Sequence, residues 1–420
     1  MADRAFDDGA LTGRGGELGE IARAYVHLAL AVGEHDAAYV DAYYGPAAWR
    51  DDVRAQQWSL SAIAERADAL LASMPAAQGP DGPHSGRAAF LTVLISALRA
   101  HVGILSGSRL AFDAEAKALY DIVPLRCPES HVDGVHAELE RLLPGAESLP
   151  VRLEQFRQRF ELPRARLADV FHAAIEECRR RTAAHIELPT GEAFVLEFVQ
   201  DKPWSGYNWY AGRYRSCIQV NTDLPVHLDR VIDLAAHEGY PGHHVFNTLI
   251  EARLVGERGW EELTVFPLFS PLALLAEGTA NFGIDVAFPG GERIGFEREV
   301  LAPMAGVPAE DVERYHEMLA LVNRLSYAAN DVARQYLDGA IDRDAAIEQL
   351  VRRVLMTRER AAQRTRFFDA YRSYVVNYNV GLDLVRAYVE RKGGVTTAPD
   401  RRWEEYLRLL LDPLPPSSLL

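Results

Sequence analysis

Lysine is nearly absent from this chain. Of 45 basic residues only Lys117, Lys202 and Lys392 are lysines, and the remaining 42 are arginines. The bias reads as genome composition, and no mechanism follows from it. Positive charge is short overall: 60 acidic residues leave a formal net charge of −15. That balance excludes nucleic acid as an obligate partner, because neutralising phosphates takes a concentrated basic face and the sequence concentrates none. Cysteine is also scarce. Cys127, Cys178 and Cys217 lie far apart with no CxxC spacing, which excludes a disulfide framework and a thiolate zinc site and points to a reducing compartment. Met1 to Gly16 has no basic region followed by an apolar run, so it does not read as a secretory signal. The most apolar window, Phe90 to Leu105, is interrupted by Arg99 and His101 and reads as too short to span a bilayer. The expected location is the cytoplasm, with no membrane partner.

What is present is enough to bury a substantial core: 420 residues, 48% of them hydrophobic, a length that admits two or three domains. Residues 1–16 are polar and Gly-rich and read as a disordered terminus. From Leu18 onward, Ile21, Ala24, Tyr25, Leu28 and Val32 recur at helical spacing. Similar patterns predict helices near 60–73, 87–106, 109–121, 129–143, 149–160 and 164–186, with a Pro/Gly loop from Pro75 to Gly86. Between Glu192 and Thr222 the texture changes. Phe194, Leu196 and Phe198 alternate with other residues, and an aromatic and β-branched run spans Tyr207 to Val220. Two strands are predicted, as a hairpin turning at Asp201 to Gly206 or as two edge strands. After Pro225 helical texture returns almost to the C-terminus. The expectation is a mostly α fold with one small sheet at about 193–221 beside the following helix. A helical half at 17–190 and a catalytic half at 191–415 would form one unit around a cleft.

The chemistry concentrates in His237-Glu238-Gly239-Tyr240-Pro241-Gly242-His243-His244. In an HExxH helix two imidazoles one turn apart hold a metal and the adjacent Glu acts on metal-bound water. Here the second histidine comes late, six or seven residues after the first. Pro241-Gly242 offers a way around this, since Pro removes a helix hydrogen bond and Gly tolerates unusual dihedrals. Treated as a two-residue insertion, it puts His243 where HExxH has its second histidine. In unbroken helix His244 would stand roughly 10 Å from His237, so His243 is preferred and His244 stays as the alternative. His316-Glu317, another His-Glu pair with no histidine within the next seven residues, shows that the dipeptide alone carries no such meaning. The best third ligand is Glu277, a carboxylate in the apolar run Leu275 to Phe282; a zinc ion would give it a partner, and Asn281 one turn on could orient a ligand. A salt bridge to an arginine would account for Glu277 as well.

HEGYPGHH resembles the HExxPGHH signature of the bacterial proteins called domain of unknown function 885, regarded as gluzincin-like metallopeptidases. The resemblance covers roughly residues 190–395 and extends to Glu277-Gly278, to Tyr210 through Thr222, and to Tyr378-Asn379-Val380-Gly381, which is similar to the family's Tyr-x-x-Gly. The chain departs from the family where Arg372-Ser373-Tyr374-Val375 replaces a Pro-Gly-Gln and where Thr279 replaces a Trp. The resemblance implies a zincin-like multi-helix fold and metal ligands at His237, His243 or His244, and Glu277.

The function expected is hydrolysis of a peptide or amide: one zinc ion held by His237, His243 and Glu277, with Glu238 as general base toward the bound water and proton donor to the leaving amine. Tyr378 is the first choice for stabilising the oxyanion, with Tyr374 and the Tyr207/Tyr210 pair behind it. Arg215 to Val220, as an edge strand, would pair with an extended peptide, which makes Tyr210, Arg215 and Tyr374 the substrate-binding candidates. Arg213, Arg215, Arg364 and Arg366 are possible anchors for a peptide carboxylate, but in so arginine-rich a chain a solvated face accounts better for each. Two histidines and a carboxylate also describe non-haem iron enzymes, and a closed four-ligand site would describe an inactive metal-binding protein.

Overall fold

A computed structural model of the chain describes residues 16–75, 85–202 and 204–420. The terminus expected to be disordered, up to residue 15, most of the loop expected between Pro75 and Gly86, and Pro203 lie outside the described residues. The helical spacing from Leu18 onward becomes α1 (Glu17–His35), which buries Ile21, Tyr25, Leu28 and Val32. A short strand, β1 (Val40–Tyr43), and α2 (Ala47–Gln56) follow. Next come α3 (Leu60–Ser73), started by Ser59 accepting a hydrogen bond from the Ala62 amide, and α4 (Ser85–Leu105).

Twenty residues of α4, Gly86–Leu105, are long and apolar enough to cross a membrane by length and composition alone, so shortness is not what separates this helix from a membrane span. Its Phe90, Leu91, Leu94, Ile95, Leu98 and Val102 are buried in the protein core. The first half closes with α5 (Phe112–Tyr120), α6 (Glu129–Leu142), α7 (Leu149–Gln158) and α8 (Leu167–Ala183). One apolar cluster continues from α1 through residues of every later region to Leu410 and Leu419, so the two halves of the sequence share a core.

The region of changed texture holds three strands rather than two: β2 (Ala193–Val199), β3 (Gly206–Gly212) and β4 (Arg215–Asn221). Their order is β2-β4-β3, with β2 parallel and β3 antiparallel to β4. The hairpin therefore turns at Arg213 and Tyr214, both at positive φ (56° and 61°), and not at Asp201 to Gly206, which connects two strands that are not neighbours. Neither residue is the Gly or Asn such a turn prefers, which is why the run Tyr207 to Val220 reads as one strand. It also follows that Arg215 to Val220 is the central strand; its backbone is paired on both sides and cannot receive a peptide.

The second half consists of α9 (Leu228–Leu234), α10 (His243–Leu249), β5 (Val265–Pro267), α11 (Pro271–Ala287), α12 (Glu292–Phe296), α13 (Ala302–Ala305), α14 (Val312–Asn323), α15 (Ser326–Leu337), α16 (Arg343–Val354), α17 (Arg358–Tyr371), α18 (Val376–Arg391) and α19 (Pro399–Leu411). The fold is mostly α with small sheets. Strand β5 pairs antiparallel with β1, which ties the N-terminal half to the entry of α11. Helices α11 and α18 meet at Gly278 and Gly381. A Cβ on Gly278 would lie 2.5 Å from the Gly381 carbonyl oxygen, and one on Gly381 would lie 2.8 Å from that of Leu274. Only hydrogen at both positions allows this approach.

Candidate metal centre

The helix that begins at α9 does not run through the histidine cluster. It widens into a π-helical turn over Ala235–Gly239, leaves helical geometry at Tyr240 and restarts at His243, the first residue of α10. The Tyr240 and Gly242 amides donate back to the carbonyls of Ala235 (3.1 Å) and Ala236 (2.9 Å), folding the interruption over the preceding turn. A Cβ on Gly242 would fall 1.9 Å from the His237 carbonyl oxygen, so glycine is required there by the close approach. The interruption returns His243 to His237 with their rings nearly perpendicular and centroids 4.6 Å apart.

Glu277 enters from α11. Its Oε2 lies 3.3 Å from His237 Nε2 and 3.9 Å from His243 Nε2, and the three ligand-type atoms all lie within 4.8 Å of one another. It is the one such cluster among the described residues. Glu277 Oε2 is buried and, among the described residues, makes no hydrogen bond beyond these imidazole contacts, although buried carboxylates otherwise find donors. Its other oxygen accepts from the Tyr374 hydroxyl at 3.0 Å. Burial pushes the His243 imidazole down to about 4 and the neighbouring His237 pushes the same way, leaving it neutral with a free lone pair. Burial alone would raise Glu277, but His237, His243 and Tyr374 outweigh it and hold the carboxyl below its ordinary range. Two imidazoles and one ionised carboxylate whose oxygen faces both rings fit a divalent metal ion.

His244 is turned the other way. Fully buried, it meets Ser216 Oγ at 2.8 Å through Nδ1 and Glu192 Oε2 at 2.9 Å through Nε2. Glu192 also accepts from the Tyr240 hydroxyl (2.6 Å) and from Arg179 (2.7 Å). Burial opposes its charge, yet these donors outweigh burial and hold it at about 2. Consecutive histidines thus face opposite sides of α10, one toward Glu277 and one toward the sheet.

Around the cluster, Asn281 Oδ1 stands 3.2 Å from His237 Nδ1, and its amide donates to the Glu277 carbonyl at 3.0 Å. Glu238 is buried, at 5% exposure, and its carboxylate has no hydrogen-bond partner among the described residues. Burial raises it to about 7, Glu277 and Asp41 adding to the rise and His237 opposing it. Room for this carboxylate depends on Gly206, where a Cβ would come within 3.2 Å of Glu238 Oε1 and 2.4 Å of Leu234 Cδ2. The Tyr378 hydroxyl has no hydrogen-bond partner among the described residues, and both Glu277 and Glu238 act on it electrostatically.

Other candidates are placed differently. Tyr374 is spent on Glu277. Tyr210 donates to Glu251 and packs edge-on against Tyr44 at 5.6 Å, away from the cluster. Arg215 is exposed, on the face of β4 opposite Ser216, which touches His244. Three groups at the site escape a reading of the sequence. Asp41 on β1 accepts from Tyr207, burial raising it to about 6 against that bond with Glu277 adding to the rise. Asn208 donates to the Glu238 carbonyl at 2.6 Å. Arg230 acts on both His237 and Glu238. None belongs to a motif, and Asp41 comes from the far half of the chain.

No family model matches the chain, and no curated protein matches it. Among solved structures, a protein from Colwellia psychrerythraea described as a candidate lipoprotein shares the fold, with a TM-score of 0.54 at 14% identity over 88% of this chain and 71% of the other. Metallocarboxypeptidase 1 of Trypanosoma cruzi aligns over 94% of this chain and 90% of its own at 13% identity, but with a TM-score of 0.36, too low to bear on the fold.

Proposed function

We propose that the chain is a zinc-dependent hydrolase of peptide or amide bonds. The observation that carries this reading is the buried Glu277 Oε2, which makes no hydrogen bond among the described residues and faces two imidazole nitrogens at 3.3 and 3.9 Å. Beside the first histidine stands a second unpartnered carboxylate, Glu238. Resemblance of the HEGYPGHH segment and of the Glu277-Gly278 and Tyr378-x-x-Gly381 pairs to domain of unknown function 885 proteins supports the same reading.

His237, His243 and Glu277 would hold the ion. Zinc supplies Lewis acidity when bound, acidifying water and polarising a carbonyl. Asn281 holds the His237 ring through Nδ1, and Tyr374 fixes one Glu277 oxygen so that the other faces the imidazoles. Glu238 receives a proton from the attacking water and returns it to the leaving amine. Tyr378, with a free hydroxyl, donates to the oxygen on which negative charge develops. The role of Glu238 separates this reading from a non-haem iron enzyme with the same ligand types, in which a carboxylate beside the first ligand has no task.

Metal analysis and one variant test the proposal. The purified protein should contain close to one zinc per chain and cleave members of a mixed peptide library read by mass spectrometry. Glu238→Gln should keep the zinc and lose turnover by about 10²–10⁴-fold. Stoichiometric iron with redox-dependent turnover, or full hydrolysis by Glu238→Gln, would overturn it.

A further inference from the structure

Beside the metal centre stands a group of cations that the hydrolytic scheme does not use. Arg360 and Arg364 are four residues apart on α17 and so share a face. The Arg364 guanidinium packs over Phe367 (5.1 Å) and Phe368 (5.5 Å), and its Nε is buried without a hydrogen-bond partner. It sits close enough to Tyr378 to act on that hydroxyl. From α7, Arg157 presents a second buried and partnerless Nε. His227, just before α9, is 2% exposed, and neither ring nitrogen has a hydrogen-bond partner among the described residues. Arg230 reaches Asp233 (3.0 Å) and Ser205 Oγ (3.3 Å).

Arg157, Arg360, Arg230 and His227 form one field, and Arg364 stands one turn on along α17, facing Tyr378. Arg157 and Arg360 both act on His227, and Arg157 and Arg230 both act on Arg360. Burial disfavours the charge on both Arg360 and Arg364. The nearby anions are Glu154, Asp229 and Asp233. Asp229 accepts from the Tyr315 hydroxyl at 2.6 Å, Asp233 is held by Arg293 (2.8 Å) and Arg230, and Glu154 takes a 3.4 Å contact from Gln158. Among the described residues none makes an ion pair with Arg157, Arg360 or Arg364. Surface arginines of this chain do pair, as Arg324 does with Glu138 (2.7 Å) and Arg343 with Asp369 (2.7 Å). A solvated face, the sequence-based expectation for Arg364, therefore does not describe it. Asp229 and Glu154 oppose the charge of Arg157 and Arg360 from a distance, but a guanidinium half-withdrawn from water without a closed ion pair leaves donors for a ligand that brings the opposite charge, and guanidinium geometry matches carboxylate.

We infer that the face beside the metal centre that carries these arginines selects peptides bearing carboxylates, with Arg360 and Arg157 receiving them together and Arg364 offering a further guanidinium beside Tyr378. The inference names the substrate class of the proposed hydrolase and rests on that reading for the bond cleaved, though not for the anion site. Equilibrium binding of fluorescent octapeptides to Glu238→Gln protein tests it without turnover. One series places glutamates where its control has glutamines, and each is made with a free or an amidated C-terminus. The glutamate peptides, the free-acid peptides or both should bind at least about tenfold more tightly than neutral controls, with a preference that shrinks as salt rises. The two arms distinguish side-chain from terminal carboxylates.

Adding Arg360→Gln and Arg364→Gln should abolish the preference while zinc content and the circular dichroism spectrum stay unchanged. If that combination does not fold, Arg360→Gln alone should reduce the preference several-fold. Equal binding of charged and neutral peptides, or a preference unaffected by the arginine variants, overturns the inference. Cleavage of both peptide classes with equal binding would leave the hydrolase reading intact. Charge-selective binding without zinc or cleavage would do the reverse.

Discussion

Replacing His243 and His244 separately by alanine should give opposite results in two assays. His244 makes two buried hydrogen bonds, to the Glu192 carboxylate at 2.9 Å and to Ser216 at 2.8 Å. A bond to a buried charge contributes roughly 1.5–3 kcal/mol and a neutral one about 1 kcal/mol, while the space left by the ring adds a cavity cost. Arg179 and Tyr240 remain on Glu192, which limits the damage. His244→Ala should therefore lose about 3–4 kcal/mol in urea unfolding of metal-free protein and still bind one zinc per chain. The His243 ring makes no hydrogen bond among the described residues; it contacts Glu277 at 3.9 Å. His243→Ala should cost about 1 kcal/mol or less in the metal-free protein and lose stoichiometric zinc after dialysis against a weak chelator. Metal-free unfolding separates the packing role from the ligand role, since bound metal adds its own stabilisation. Zinc retained by His243→Ala and lost by His244→Ala would refute the assignment of the two faces of α10.

Three further variants probe the support of the site. Gly278→Ala puts a methyl 2.5 Å from a backbone oxygen of α18, so the helices must separate; a loss of about 3 kcal/mol in urea unfolding and weaker zinc binding are expected, and a loss under about 1 kcal/mol would contradict the close approach. Tyr374→Phe removes the 3.0 Å bond to Glu277 and should weaken zinc about tenfold in a competition titration, unchanged affinity counting against that support. Tyr378→Phe should leave zinc affinity unchanged and lower kcat about 100-fold on a cleaved peptide, and a normal kcat would remove it from the chemistry.

What could be read in the sequence was local. The helical spacing of α1, the limits of α3 and the need for an interruption at Pro241-Gly242 all follow from neighbours a few residues apart, where periodicity and backbone chemistry decide. The strand order β2-β4-β3 could not be read, because parallel pairing of β2 with β4 is a long-range choice and the hairpin turn lacks its usual residues. Asp41 escaped for a similar reason: β1 is four residues long and reaches the site through long-range contacts, its pairing with β5 more than two hundred residues away and the Tyr207 hydroxyl of β3. Tyr210 and Tyr374 show the converse limit. An aromatic beside a motif can belong to a ligand's support or to another network, and only the partner of its hydroxyl decides.

The octapeptide His237 to His244 and the two glycine pairs make sense together once their contacts are known. Tyr240 and His244 fasten the interrupted helix to Glu192 on the sheet side, while Tyr406 from α19 donates to the Pro241 carbonyl at 3.0 Å on the other. Gly242 lets the chain lie against the carbonyls it must cross. On the opposing wall, Gly278 and Gly381 bring α11 and α18 into backbone contact, and the residues one and three positions before them are Glu277 and Tyr378. A carboxylate and a hydroxyl from separate helices are thereby set by main-chain contact rather than by side-chain packing, which is the stiffer arrangement. Short motifs such as Glu-Gly and Tyr-x-x-Gly thus combine a chemical group with the glycine that fixes where its helix stands. The glycines are as much a part of the proposed site as the ligands.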